Sequence, residues 1–218
     1  MSKNNKLTII GILVIISIVI GVGIYASSQT SKSNPVLPNS KSTANTSVSK
    51  VDHSMKGMDH STMGMEMSAM VKDDQTFIEQ MIPHYQEAVN TSEIVIAKTS
   101  DPELKKFAQN IISDQTSEIN QMKIWYKAWF NKDYSGTSTN MMGDLTKLSV
   151  VELDKAYVHG MIEHHKSAVD MASKIKSITQ RQKIKTLASS IILSQSVEIN
   201  TLQGWLKSKY NDHGIMGG

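Results

Sequence analysis

Apolar residues at Phe77, Met81, Ile82, Tyr85, Val89, Val95 and Ile96 recur every three or four positions, the spacing of an amphipathic helix. The pattern predicts a first helix from near Asp73 to about Lys98. Pro83 falls inside it and removes one backbone donor, which predicts a kink or a later true start beside His84. Ser100-Asp101-Pro102-Glu103 predicts a capping box opening a second helix, which runs past Ile111, Ile112, Ile119 and Met122 to about Phe130. Ser149 to Glu152 has the same form and opens a third helix that carries Met161, His164, His165 and Met171 to about Ser177. Thr179 to Gln182 repeats it and opens a fourth, ending near Tyr210. Asn131 to Thr146 is rich in Gly, Ser, Thr and Asn, and is long enough to cross between two helical pairs. No segment sustains strand alternation, so the predicted fold is all-α, a four-helix bundle over 73–210.

The two pairs are related. At a constant offset of 80, Phe77 to Phe130 and Tyr157 to Tyr210 share 16 identities in 54 positions, including Met-Ile-x-His at Met81 and again at Met161. Two repeated hairpins, 77–130 and 157–210, are therefore expected to pack about an approximate two-fold axis that brings equivalent faces together.

Ahead of the bundle the pattern changes three times. Lys3 and Lys6 precede 20 uncharged residues, Leu7 to Ala26, enough to span a bilayer as a helix. The length favours a retained transmembrane anchor over a cleaved signal, although Ile24-Tyr25-Ala26 imitates a cleavage site. Lysines before the span keep the N-terminus cytoplasmic and send the rest outside, which predicts a single-pass protein of the cell membrane or, after cleavage, a secreted or periplasmic one. Residues 27–51 are Ser, Thr, Asn and Lys with two prolines and read as a flexible stalk. Asp52 to Met70 then crowds six methionines and two histidines among Gly, Ser and Asp. Residues 211–218 form a Gly-containing tail.

Composition narrows the chemistry. The net charge of +3 comes from scattered lysines with no aromatic-interleaved basic stripe, which argues against nucleic acid. Cysteine is absent, so disulfides and thiolate sites are excluded and soft-metal chemistry falls to methionine and histidine. Met81 with His84, and Met161 with His164, share a helix face, and His165 sits on the adjoining flank. If the first and third helices face each other, two thioethers and two or three imidazoles converge, with Met122 as a third sulfur. Thioether prefers Cu(I) and imidazole accepts either copper state, so the set points to copper, Cu(I) favoured, above zinc or iron. Methionine at helical spacing is ordinarily core filler; the repeat and the Met-rich segment shift the balance toward ligation. In that segment His53, Met55, Met58, His60, Met63, Met65 and Met67 can wrap a soft ion without a preformed fold. Gln115 and Glu118, repeated as Gln195 and Glu198, are expected to orient imidazole N–H groups or to make interhelical hydrogen bonds. No glutamate from Glu66 to Glu198 is followed by histidine three residues later, which disfavours a di-iron centre.

The pattern F-I-x-x-M-I-P-H at Phe77 to His84, D-P-E-L-K at Asp101 to Lys105 and Q-x-x-E-I-x-x-M at Gln115 to Met122 resembles the domain-of-unknown-function family numbered 305. That resemblance implies a ferritin-like bundle in exported or tethered proteins, some tied to copper binding and resistance, with Met81, His84, Met122, Met161, His164 and His165 as ligands. Met58 to Met63, MDHSTM, is similar to Met-rich boxes of periplasmic copper-resistance proteins. Two departures predict unequal halves: His164-His165 is His84-Tyr85 in the first copy, and Met122 is Leu202 in the second. On histidine count the second copy is expected to hold metal harder. The expected function is non-enzymatic copper capture, storage or resistance, with a copper-handling protein as a possible partner. The alternatives are a metal-dependent oxidase or peroxide-handling enzyme and a tethered helical interaction module.

Overall fold

The structure, a computed structural model, describes residues 66–212. The expected transmembrane helix over 1–26, the stalk over 27–51, residues 52–65 of the Met/His-rich segment and the tail from 213 lie outside the described residues. Among the described residues no helix is long and apolar enough to cross a membrane.

Four long helices make the fold: α1 (Asp74–Lys98), α2 (Pro102–Phe130), α3 (Val150–Ile178) and α4 (Gln182–Tyr210), with a 3-10 turn at Leu145–Lys147 before α3. The chain pairs α1 with α2 and α3 with α4 as antiparallel hairpins, and the hairpins meet through α1 and α3. No strand occurs among the described residues, as the periodicity predicted.

The helix starts follow side-chain chemistry, with three departures from expectation. Asp73 caps α1, accepting the Thr76 N–H at 2.8 Å, and the helix runs unbroken through Pro83, so there is no late start. The α1 surface at Pro83 is instead engaged from outside, where the Pro83 carbonyl accepts the Thr139 N–H at 3.1 Å. At α2 the cap is Asp101, not Ser100, and it accepts from Glu103 and Leu104. Pro102 at the first helical position keeps Asp101 extended, which makes it the cap. At α4 the flanking residue is Arg181, without a side-chain cap. Thr179 closes α3, and its hydroxyl bonds Asp74 and accepts the Arg181 N–H at 3.0 Å. The box at Ser149 is as expected, with the Glu152 carboxylate accepting both the N–H and the hydroxyl of Ser149.

Reciprocal contacts define an approximate two-fold axis. Thr99 Oγ1 donates to Asp154 Oδ2 at 2.8 Å, and Thr179, 80 residues on, bonds Asp74, 80 residues before Asp154. Such pairing, where i meets j and the equivalent of j meets the equivalent of i, is the mark of an isologous interface. The core accordingly falls into two clusters. The first contains Phe77, Met81, Met122, Met171, Ile184 and Ile191, from the first halves of α1 and α4 and the last halves of α2 and α3. The second contains Val95, Leu104, Tyr157, Met161, Leu202 and Leu206, from the opposite halves of the same helices. Burying each such side chain contributes about 1.5–3 kcal/mol.

Candidate functional site

Between the two apolar clusters, at the middle of α1 and α3, lies a layer of buried polar groups. His84 and His164, both fully buried, stack with centroids 3.6 Å apart and planes 11° from parallel. Each Nε2–H donates to the other residue's backbone carbonyl, His84 to His164 at 3.0 Å and His164 to His84 at 2.9 Å. Because a carbonyl only accepts, both rings carry their proton on Nε2 and present Nδ1 as a lone pair. Neither Nδ1 has a protein partner. Burial drives both imidazoles toward the neutral form: His164 is pushed down to about 3, by burial first and by His165 second, and His84 falls well below its ordinary range through burial and then His164. Neutral imidazoles with a free ring nitrogen are the form that ligates metals.

The flanks of the stack carry the sequence-predicted acceptors. His165, fully buried, places Nε2 2.9 Å from Glu198 Oε2 but without the alignment of a hydrogen bond, and its Nδ1 is also unpartnered. In the other hairpin the equivalent pair is Tyr85 with Glu118, which do hydrogen-bond, and Gln195 donates to the Tyr85 hydroxyl at 3.1 Å. Burial raises Glu118 to about 7, against the opposing Tyr85 hydrogen bond, and raises the Tyr85 hydroxyl as well. Gln115 is buried with neither amide atom paired within the protein. The layer thus holds every orphaned buried side-chain atom of the described residues except Asp154 Oδ1. Leaving such groups unpaired costs about 1–3 kcal/mol each, so a protein keeps them together where a ligand or solvent engages them.

The sulfurs are divided between the two apolar clusters. Met81 and Met122 are buried in the first cluster and Met161 in the second, one on each side of the imidazole stack. The physical reason is the two-fold axis: it passes between the histidines, so equivalent methionines fall on opposite sides. Among the described residues no group of three or more His, Asp and Glu side chains is arranged to hold a metal.

Of the ligands expected in the Met/His-rich segment, Met67 lies within the described residues. It is buried in the first cluster, and its sulfur accepts the Ser167 hydroxyl at 3.6 Å. His53, Met55, Met58, His60, Met63 and Met65 lie outside the described residues. Sequence reasoning passed over Glu87. Glu87 is 4% exposed and accepts the Met142 N–H at 2.6 Å and the Thr139 hydroxyl, so it ties the inter-hairpin linker to α1. The signal was available: a carboxylate three residues after His84, on the buried face, has to be paired.

Fold and site define a class: an antiparallel bundle of two helical hairpins whose interface buries a pair of cross-bonded neutral imidazoles flanked by thioethers. The chain belongs to the family described as Domain of unknown function (DUF305), which it matches over residues 74–206. Among solved structures it is similar to CopM in the Cu(I)-bound form, 41% identical over 63% of this chain and 98% of that one, with a TM-score of 0.59. CopM in an Ag-bound form is 40% identical over 65% and 99%, with a TM-score of 0.58. A DUF305 protein from Streptomyces coelicolor, 24% identical over 67% and 98% with a TM-score of 0.58, shares the fold. The curated "Uncharacterized protein L153" of Acanthamoeba polyphaga mimivirus is 40% identical over 50 residues, 23% of this chain and a third of that protein (33%).

Proposed function

We propose that this protein binds copper outside the cytoplasm, capturing it on the Met/His-rich segment and holding it in the bundle for storage or transfer. The observation that carries the reading is the pair of buried neutral imidazoles with unengaged Nδ1 lone pairs beside buried thioethers. That donor set fits a soft or borderline cation and fits a hard one poorly. CopM, solved with Cu(I) and with Cu(II) at about two-fifths identity, supports copper as the cargo. Its residues bind, orient and exclude water, and no turnover is required of them. The uncharged run at Leu7 to Ala26 supports a tethered, outward-facing domain.

The test is anaerobic titration of the full chain with Cu(I) against a competing chelator, comparing the wild type with His84→Gln/His164→Gln. Losing both ring donors is expected to weaken the tightest class by about a hundredfold or more, while a weaker class on the segment persists. An unchanged tightest class in a folded double variant contradicts the bundle site.

A further inference from the structure

The repeat builds both ends of the bundle from equivalent positions, so the ends differ in side chains and not in frame. At one end the last turns of α2 meet the start of α4. There the Trp125 and Trp129 rings stack with centroids 5.3 Å apart, and the Arg181 guanidinium lies 4.4 Å over Trp129. At the other end the last turn of α4 meets the start of α2, where Lys209 binds Asp101 and Glu103, each at 2.6 Å, and lies over Trp205. The exchanges run in one direction. Arg181 and Lys183 stand where the other copy has Asp101 and Glu103, Lys132 where it has Asp212, and Ile124 where it has Gly204.

One end is therefore ion-paired and the other carries uncompensated charge beside apolar surface. At the Lys209 end Asp212 also pairs with Lys155 and His159. At the Trp129 end Lys127 pairs with Asp133 and Arg181 with Asp74. Among the described residues Lys123, Lys132, Lys174, Lys176, Lys183 and Lys185, all at this end, make no ion pair. These lysines are scattered along the sequence and gather only in the fold. Between them Ile124 is 62% exposed and Ile178 37%, and Trp125, Trp129 and Phe130 are partly exposed.

We propose that this end of the bundle docks on an anionic phospholipid surface, with Ile124, Trp125 and Trp129 at headgroup level and the unpaired lysines on lipid phosphates. Indole rings have an apolar body and a polar edge, and lysine stems lie along apolar surface while their ammonium groups reach out to phosphate. Charge complementarity selects the occupant: the ammonium groups call for a polyanion, and the apolar residues among them for one with a hydrocarbon interior. The inference rests on the tethered, outward-facing reading for its supply of membrane. Residues 27–65, at about 3.3 Å per extended residue, are long enough to bring either end of the bundle to the same bilayer. Surface chemistry, not the tether, then chooses the end.

The experiment mixes the full chain with vesicles of phosphatidylcholine, or of equal parts phosphatidylcholine and phosphatidylglycerol, whose brominated acyl chains quench tryptophan at the bilayer. The three tryptophans divide between the ends, so Trp205→Phe isolates Trp125 and Trp129. Its emission is expected to be quenched in the anionic vesicles and to recover in neutral ones or at high salt. The wild type should keep an unquenched component that Trp205→Phe lacks. Giving Trp205→Phe the other copy's acids, Lys132→Asp with Lys183→Glu, is expected to lower the docked-to-undocked ratio by about twenty-five-fold, at about fivefold for each lysine near an anionic surface. Thermal melts establish that these variants are folded. Trp125 and Trp129 left unquenched in both lipids, quenched equally in neutral vesicles, or unaffected by the charge exchange overturn the inference, and so does a wild type quenched throughout. Flotation separates this from the tethered reading. A chain that floats with neutral vesicles while Trp125 and Trp129 stay unquenched in either lipid keeps the anchor and refutes the docking end. One that floats only with anionic vesicles keeps the docking end and refutes the anchor, and one that floats with neither refutes both.

Discussion

The two lead-ins, to α1 and to α3, perform the same mechanical task with different chemistry. Each precedes its hairpin and crosses the other hairpin's first helix. The lead-in to α1 buries Met67 and Val71 against α3 at Ser167, while position 151, the equivalent of Val71, is 74% exposed. The lead-in to α3 is tied down by polar bonds, with Thr139 N–H on the Pro83 carbonyl and Met142 N–H and Thr139 hydroxyl on Glu87. One crossing is held by thioether packing and the other by a buried carboxylate, because 87 is Glu where 167 is Ser. A shared backbone frame therefore does not produce two equal sites.

Breaking the polar crossing should have the larger effect on stability. Glu87→Ala leaves the Met142 N–H and Thr139 hydroxyl without their acceptor and is expected to destabilise the fold by about 1–3 kcal/mol. In a chain of this size that lowers the midpoint by about 2–4 °C per kcal/mol in a thermal melt. Ser167→Ala removes one weak hydroxyl-to-sulfur contact and should cost much less. Equal losses from the two changes would mean that the crossings are mechanically alike.

Much of this was legible in the sequence and part was not. The four helices follow from three-four periodicity and capping residues, and the pairing of His84 with His164 follows from the 80-residue offset. What the offset conceals is where the axis runs. A spacing places Met81 and His84 on one face, but only the packing of α1 against α3 shows that the axis passes through the histidines and parts Met81 from Met161. Likewise Tyr85, a departure from the His-His pattern, keeps the role of its equivalent by pairing with Glu118 as His165 approaches Glu198.

A smaller effect sharpens the contrast between the imidazoles and their flanking carboxylate. His84 and His164 are depressed below 6.5 in the folded chain, so the unfolded chain binds their protons first and stability falls as pH drops below about 6.5. Glu118 has the opposite sign: raised from 4.5 to about 7, it gives stability that grows as pH drops through that window. With two imidazoles against one carboxyl, the metal-free chain should therefore lose melting temperature gradually below about pH 6.5, and more steeply at lower pH, where Asp73 and Asp101, both lowered in the fold, lose their charge as well. Glu118→Gln removes the partial offset, so its decline below pH 6.5 should be about twice as steep. An identical profile in that variant would mean that Glu118 does not balance the stack.

The most direct measurement is anomalous diffraction from crystals of the full chain loaded with Ag(I) or Cu(I). The account predicts a peak inside the bundle, between α1 and α3, beside the stacked imidazoles of His84 and His164. Peaks confined to surface methionines and histidines, with nothing between α1 and α3, would contradict it.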